Sequence, residues 1–173
     1  AGDPVKIYRL RLRNDSGRRR RLTVEFFAEW VLGSCRENQQ LHVQTACDEP
    51  SGAILARQFW KCNHAGYPSF AAASPRATSY SGDRTLFLGR NNPAPTPAAM
   101  ERARLDNRAR AGLDPAAALQ LSVTIDPGTR VEVIFLLGPA DNVDAVRAIV
   151  DRYSSPEQVA SALGATRPWW VSR

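Results

Sequence analysis

The fold is decided by the stretch LQLSVTIDPGTRVEVIFLL, residues 119–137. Apolar and polar residues alternate on both sides of its centre, which is the period of a half-buried β-strand. The centre contains Pro127 and Gly128, two turn-forming residues. The pattern predicts a β-hairpin that turns at residues 126–129, and it favours an antiparallel β protein.

Alternation also dominates the start of the chain. Residues 5–13 place Tyr8, Leu10 and Leu12 on one face and arginines on the other. Residues 14–17, Asn-Asp-Ser-Gly, have turn chemistry, and the alternation resumes over residues 22–32. These two runs are predicted to pair with each other as a long antiparallel hairpin.

Shorter strands are predicted in the middle of the chain. Residues 41–45 and 53–60 flank the turn-forming stretch DEPSG, so they are expected to form a hairpin. Residues 70–73 and 79–80 are weaker strand candidates because their side chains are small. The sequence therefore predicts a mainly β chain built as an antiparallel β-sandwich.

An inserted segment, residues 91–114, interrupts the strand pattern. Its first part holds three prolines, which cannot donate to a strand ladder, and residues 98–111 are predicted to form a short, polar, Arg-rich helix. Excursions of this length from a sheet are usually functional or form an interface.

Two helices are predicted at the C-terminal end. A helical stripe of apolar residues runs from Val143 to Tyr153, with Asp141 as the expected N-cap. Ser155, Pro156 and Gln158 then form a capping-box signature for a second helix. The expected organisation is a sandwich domain over residues 1–140, with its insertion at 91–114, and the start of a helical linker over 141–173.

Charge and cysteine content limit the classes of function that the sequence allows. The formal net charge is +6, but most of the excess lies in the arginines of residues 18–21 and of the first strand, as expected for a solvated strand face, so no nucleic-acid partner is predicted. The three cysteines, Cys35, Cys47 and Cys62, include no CxxC pair, and no metal site is predicted. A reducing, cytoplasmic location follows, and no run is apolar enough to give this segment membrane contact.

Catalytic constellations are not predicted either. The acidic candidates are isolated along the chain, and neither a nucleophile elbow nor a phosphate- or dinucleotide-binding loop is present, so no cofactor is expected. The candidate carboxylates are Glu25, Glu29, Asp83, Asp106 and Asp114. Four aromatic residues could stack on sugar rings or pack in the core: Trp30, Trp60, Tyr67 and Tyr80. Core packing is favoured for Trp30, which lies in phase with the apolar face of its strand.

Two segments carry a resemblance to a known family. YSGDRTLFLGRN, residues 80–91, and GLDPAAALQ, residues 112–120, resemble the sandwich domain of cyclic β-1,2-glucan synthases, which belong with the cellobiose and chitobiose phosphorylases of glycosyltransferase family 36 and glycoside hydrolase family 94. EWVLG, FAAASP and VIFLLG, at residues 29–33, 70–75 and 133–138, extend the likeness in the same order.

The resemblance implies a galactose mutarotase-like supersandwich that belongs to a longer enzyme. In that family the sandwich precedes a helical linker and an (α/α)-barrel, and the barrel carries the catalytic acid and the phosphate-binding residues. The chain is thus expected to be an inactive fragment from which upstream strands are missing. The parent is expected to act on gluco-oligosaccharides or glucan, and either to lie free in the cytoplasm or to be attached to the inner membrane.

The resemblance also implies sites of contact. The family's sandwich helps to form a homodimer and lends a loop toward the active site, so Arg84, Arg90 and Asn91 are the candidates for contacting sugar or a neighbouring subunit. The structural alternative is that Asp83 and Arg84 pair and brace a turn. A second functional hypothesis is a stand-alone carbohydrate-binding or protein-interaction module.

Overall fold

The computed structural model describes residues 2–60, 66–89 and 96–171, and the side chains of all these except residues 38–40 and 166–171. The strands are β1 Lys6–Arg13, β2 Arg20–Glu29, β3 Val43–Asp48, β4 Ala53–Gln58, β5 Ser69–Ser74, β6 Ser79–Asp83, β7 Pro115–Ile125 and β8 Arg130–Pro139. The helices are α1 Arg36–Gln39, α2 Arg84–Leu88, α3 Val143–Arg152 and α4 Pro156–Val171, and single 3-10 turns cover Gln40–His42 and Ala98–Glu101.

The strands form two antiparallel sheets packed face to face. One sheet has the order β1-β8-β5-β4-β3 and the other has the order β2-β7-β6. The main core lies between them, where Leu119 and Leu121 of β7 meet Val133 and Phe135 of β8. Trp30 belongs to this core and is 5% exposed. The predicted mainly β sandwich is confirmed.

The strand partners differ from those predicted for two of the three hairpins. β1 pairs with β8 and β2 pairs with β7, so the first two strands do not pair with each other, and neither do β7 and β8. Residues 14–19 and 126–129 are instead arches that carry the chain from one sheet to the other. An alternating pattern identifies the apolar face of a strand. It does not show whether the next strand pairs with it in the same sheet or lies in the opposite sheet, across the core.

Asn14 ties the two arches together. Its side chain is buried, and Nδ2 donates to the backbone oxygens of Arg18, at 2.8 Å, and Ile125, at 2.9 Å. Its Oδ1 accepts from the backbone nitrogen of Ser16 at 3.1 Å. The Asn14 backbone also bonds to Gly128 and Thr129 of the second arch. One short polar side chain thereby satisfies backbone groups in both turns.

The third hairpin is confirmed. β3 and β4 pair in register from Val43 opposite Gln58 to Asp48 opposite Ala53. The weaker strand predictions at residues 70–73 and 79–80 are also confirmed, as β5 and β6, which lie in different sheets.

Helices α3 and α4 cover the outer face of the five-stranded sheet. Val146 of α3 and Val159 of α4 pack with Ile134 and Leu136 of β8 in a second apolar cluster. The predicted capping box of α4 is confirmed, because Ser155 and Gln158 exchange backbone-to-side-chain hydrogen bonds of 3.1 and 3.3 Å. The N-cap of α3 is Asn142 rather than Asp141, since Asn142 Oδ1 accepts from the backbone nitrogen of Ala145 at 2.8 Å.

The inserted segment contains less helix than predicted. The prediction of a helix over residues 98–111 is wrong, because a 3-10 turn forms at Ala98–Glu101 and the backbone of Arg102 is already extended. The segment has no apolar stripe to bury along a helix. It is held instead by buried Leu105, whose backbone nitrogen donates to Ser79 Oγ at 3.0 Å, and by a parallel bridge between Ser81 and Arg108. Residues 91–95 of the insertion lie outside the described part of the chain.

Candidate functional site

Four charged residues meet at one end of the three-stranded sheet, and together they are called the charge cluster here: Glu29, Arg36, Arg84 and Asp114. Glu29 ends β2 and Asp114 immediately precedes β7. The β2–β7 register, which places Glu29 opposite Ala116, brings these two carboxylates to the same end of the sheet. Arg84 enters from the start of α2, after β6.

Each arginine of the charge cluster contacts both carboxylates. Arg84 Nε donates to Glu29 Oε1 at 2.9 Å, and its Nη1 lies 3.9 Å from Asp114 Oδ2. Arg36 Nη2 donates to Asp114 Oδ1, and its Nε lies 3.4 Å from Glu29 Oε2 in an ion pair without hydrogen-bond geometry. The four side chains are between 24% and 33% exposed, so the cluster is partly shielded from water.

The electrostatics of the charge cluster favour a fixed Arg84. Its hydrogen bond to Glu29 is the main reason that the pKa of the Arg84 guanidinium rises above its ordinary value, and the charge of Asp114 acts in the same direction. The backbone adds a further tie, since Arg84 N donates to Asp114 O at 2.7 Å. Arg84 is therefore a positioned cation, with about a third of its side chain facing water.

Asp83 and Arg84 bind other partners and do not pair with each other. The alternative prediction, that the two residues pair to brace a turn, is therefore wrong. Asp83 is the N-cap of α2, and its Oδ1 accepts from the backbone nitrogens of Thr85 at 2.8 Å and Leu86 at 3.4 Å. A carboxylate at this position satisfies helix N–H groups and faces the positive end of the helix. Asp83 braces α2, while Arg84 is free to reach the carboxylates of neighbouring strands.

Helix α2 is anchored along its length. Phe87 stacks on Phe27 of β2 with ring centroids 4.5 Å apart, and Phe87 and Leu88 are buried in a third apolar cluster with Ala118 of β7. The helix ends at Gly89, whose φ of 86° is a conformation that glycine adopts readily. The other two predicted contact residues, Arg90 and Asn91, follow directly and lie outside the described residues, so the structure shows only the anchored element that precedes them.

The carboxylates considered for catalysis hold structural contacts. Glu29 and Asp114 bind arginines in the charge cluster, and Asp83 caps α2. Glu25 Oε1 accepts from Gln120 Nε2 at 2.9 Å, and Asp106 Oδ1 accepts from the backbone nitrogen of Arg108 at 3.4 Å. Nothing in these arrangements resembles a pair of carboxyl groups facing each other across a cleft.

The predicted aromatic residues divide into two groups. Trp30 and Tyr80 pack with the main core, whereas Trp60 is 54% and Tyr67 is 49% exposed. Trp60 stacks on His42 with ring centroids 4.5 Å apart.

Of the cysteines, Cys35 and Cys47 are free thiols, and Cys62 is outside the described residues, as is His64. In the described ranges no three His, Cys, Asp or Glu side chains come together as metal ligands.

A groove lies between α3 and the start of β5. Its volume is about 830 Å³, and it is called the α3 groove here. Its lining includes Tyr67, Leu32 and Ile149, and its charged residues are Asp3, Asp141 and Arg152. The sequence indicated Tyr67 as a stacking candidate, but it gave no sign that residues 3, 141 and 152 would lie near it.

The two packed antiparallel sheets, with a capped short helix inserted between β6 and β7, define a sandwich domain rather than a barrel or a nucleotide-binding fold. The chain belongs to the glycosyl hydrolase 94 supersandwich domain family, whose model matches residues 1–156. The resemblance drawn from the sequence is confirmed.

Its relatives include a glucan synthase and two disaccharide phosphorylases. The chain is 33% identical over 168 residues to the cyclic beta-(1,2)-glucan synthase NdvB of Rhizobium meliloti, covering 96% of the chain and 6% of the relative. It is 27% identical over 162 residues to solabiose phosphorylase of Paenibacillus borealis, with 92% and 21% coverage. It is 24% identical over 178 residues to N,N'-diacetylchitobiose phosphorylase of Vibrio furnissii, with 99% and 22% coverage. The chain thus spans less than a quarter of each of these relatives.

Among the described residues, no helix has both the length and the apolar character needed to cross a membrane.

Proposed function

We propose that this chain is the non-catalytic sandwich domain of a glucan-processing glycosyltransferase or phosphorylase, and that it acts only together with the rest of its polypeptide. The observation that carries the proposal is the family match over residues 1–156, combined with coverage of only 6% to 22% of relatives named as a glucan synthase and phosphorylases. The structural use of the five candidate carboxylates supports the same conclusion.

Residues 1–140 are proposed as the sandwich domain, and residues 141–173 as the start of a helical linker to a downstream (α/α)-barrel. The parent would take gluco-oligosaccharides or glucan, assemble as a homodimer and work in the cytoplasm. No nucleic acid, membrane contact by this segment or cofactor enters the proposal. The inner membrane is an alternative location for the parent.

Helix α2 and the residues after it are proposed as the part of this domain that contacts sugar or a neighbouring subunit. Asp83, the Phe27–Phe87 stack and the charge cluster anchor α2, the element that precedes Arg90 and Asn91. Positions next to a rigid element are a common location for contact residues. Arg84 would hold α2 in place and offer the exposed part of its side chain to sugar or to a neighbouring subunit. Arg90 and Asn91 would contact the same partner.

Variants of Arg84 in the longer polypeptide test the contact proposal. Arg84→Ala removes a guanidinium that binds both Glu29 and Asp114, so we expect kcat/KM for the glucan substrate to fall about tenfold. Arg104→Ala is the matched control, because Arg104 is an exposed arginine that donates to the backbone oxygen of Thr78 and takes no part in the charge cluster. Equal activity of the two variants would contradict a role for the α2 region.

Self-association of the isolated chain separates the two functional hypotheses. Sedimentation velocity over a range of concentrations should show a concentration-dependent dimer if the sandwich contributes to the parent's homodimer. A stand-alone module instead predicts a monomer at all concentrations and a reading frame that encodes no barrel.

A further inference from the structure

We propose that the α3 groove binds a neutral oligosaccharide, at a site separate from the α2 region. This inference rests on the proposed function for the choice of a saccharide, and it adds a second binding site to the domain. The groove's volume of about 830 Å³ lies within the usual range of about 300–1,000 Å³ for ligand sites, which is large enough for several sugar rings.

The walls of the α3 groove are preformed. One wall is a single stripe of α3, where Ala145, Ala148 and Ile149 face the groove, and the two alanines leave the space open because their side chains are small. The lining also includes Pro68 and Pro139, and their segments are joined by a hydrogen bond of 2.8 Å from Ala140 N to Pro68 O. Because proline fixes its own φ angle, the entropic cost of ordering these segments on ligand binding is small.

The groove offers a flat aromatic surface. Tyr67 is 49% exposed and lines the groove beside Leu32. Pyranose rings present C–H groups that pack on aromatic faces, and an amphipathic tyrosine also brings a hydroxyl to the boundary between apolar surface and water. This combination of an apolar wall and a few polar groups is typical of sites for uncharged, hydroxyl-rich ligands.

The charges of the groove favour a neutral ligand over a sugar phosphate. Arg152 is its only lining cation among the described residues, and Arg152 Nη1 already donates to both carboxylate oxygens of Asp3, at 2.8 and 2.6 Å. Tyr153 Oη donates to the same carboxylate at 2.9 Å. With Asp141, the lining carries two carboxylates against one guanidinium, so a phosphate would be repelled, whereas sugar hydroxyls can donate to carboxylate oxygens.

The test is a titration of the isotope-labelled 173-residue chain with a linear β-1,2-linked glucotetraose, followed by backbone amide spectra. We expect saturable shifts at residues 67, 69 and 145–152 with a dissociation constant in the millimolar range. Glucose 1-phosphate should produce no saturable shifts at these residues. Tyr67→Ala should weaken glucotetraose binding about tenfold, as expected for loss of one stacking face.

Two further variants keep the result interpretable. Asp141→Ala changes an exposed side chain on the groove, and it should weaken binding about threefold without affecting the fold. Trp60→Ala is the matched control, because Trp60 is an equally exposed aromatic that does not line the groove, and it should leave the dissociation constant unchanged. Absence of saturable shifts in the unaltered chain, or equal binding by all three variants, would overturn the proposal. Dimerisation and the Arg84 variants do not depend on the groove, so the proposed function stands or fails separately.

Discussion

At the scale of single residues, several polar side chains join elements that are far apart in the sequence. Asp48, at the end of β3, is buried, and its carboxylate receives Arg147 of α3 at 2.7 and 3.1 Å. The two residues are 99 positions apart, so no local pattern could have paired them. Sequence periodicity indicates which apolar residues enter the core, but it carries little information on buried ion pairs that join one element to another.

Asp48→Asn should destabilise the domain by about 2 kcal/mol at neutral pH. The hydrogen bonds from Arg147 lower the pKa of Asp48 from 3.8 to about 2, and a depressed carboxyl pKa stabilises the fold at pH values above the unfolded pKa. The stability difference between the unaltered chain and Asp48→Asn should therefore be constant at neutral pH and shrink as the pH falls through 3.8 toward 2. Urea unfolding at a series of pH values measures it.

Asp144→Asn is the control for this prediction. Asp144 also contacts Arg147, at 3.1 Å, but its side chain is 89% exposed, so its removal should change the unfolding free energy by less than about 0.5 kcal/mol. Equal effects of the two substitutions would show that the burial of Asp48 does not determine its contribution.

At the scale of elements, the positions of most strands could be predicted, and so could the β3–β4 pairing, but the partners of β1, β2, β7 and β8 could not. The alternation at residues 5–13 and 119–137 located β1, β7 and β8, yet the connections proved to be arches because the apolar faces of successive strands oppose each other across the core. The continuous apolar run from Val133 to Leu136 did contain a usable signal, since a strand buried on both faces loses its alternation. Such a run is typical of a strand that is covered on both faces, as β8 is by the second sheet and by α3 and α4.

Asn14→Ala should cost about 2 kcal/mol because it removes two hydrogen bonds of a buried amide, one to Arg18 O in the first arch and one to Ile125 O beside the second. Ser16→Ala is the matched control, because Ser16 Oγ bonds to Asn14 Oδ1 but the two Asn14 Nδ2 bonds remain. Thermal or urea unfolding should rank Asn14→Ala well below Ser16→Ala in stability. The reverse order would show that Asn14 does not couple the arches.

Two glycines in different elements give opposite predictions. A Cβ on Gly138 of β8 would collide with the backbone oxygen of Pro4, so Gly138→Ala should destabilise the domain by about 1–3 kcal/mol and displace the N-terminal segment. Gly164 of α4 has open space around it, and Gly164→Ala should be neutral or stabilise by up to about 1 kcal/mol. Differential scanning calorimetry compares the two. A stable Gly138→Ala variant would contradict the packing of residues 4 and 5 against β8.

At the scale of the whole molecule, the fold class and the family could be predicted, and the charge cluster could not. Ordered similarity over several segments led to the sandwich, and the family match over residues 1–156 agrees. Arg84 was indicated as a contact residue, but its ties to Glu29 and Asp114 depend on the β2–β7 pairing, which the sequence pattern did not reveal. The α3 groove could not be predicted either, because its lining residues come from five separated parts of the chain.

The proposal that bond-breaking machinery lies outside this domain is tested most directly by a turnover assay of the purified chain. Gluco-oligosaccharides would be incubated with the chain, with and without inorganic phosphate, and products followed by proton NMR. We predict no product above the protein-free control. Product formation proportional to the chain's concentration, and abolished by Glu25→Gln or Asp106→Asn, would contradict the account.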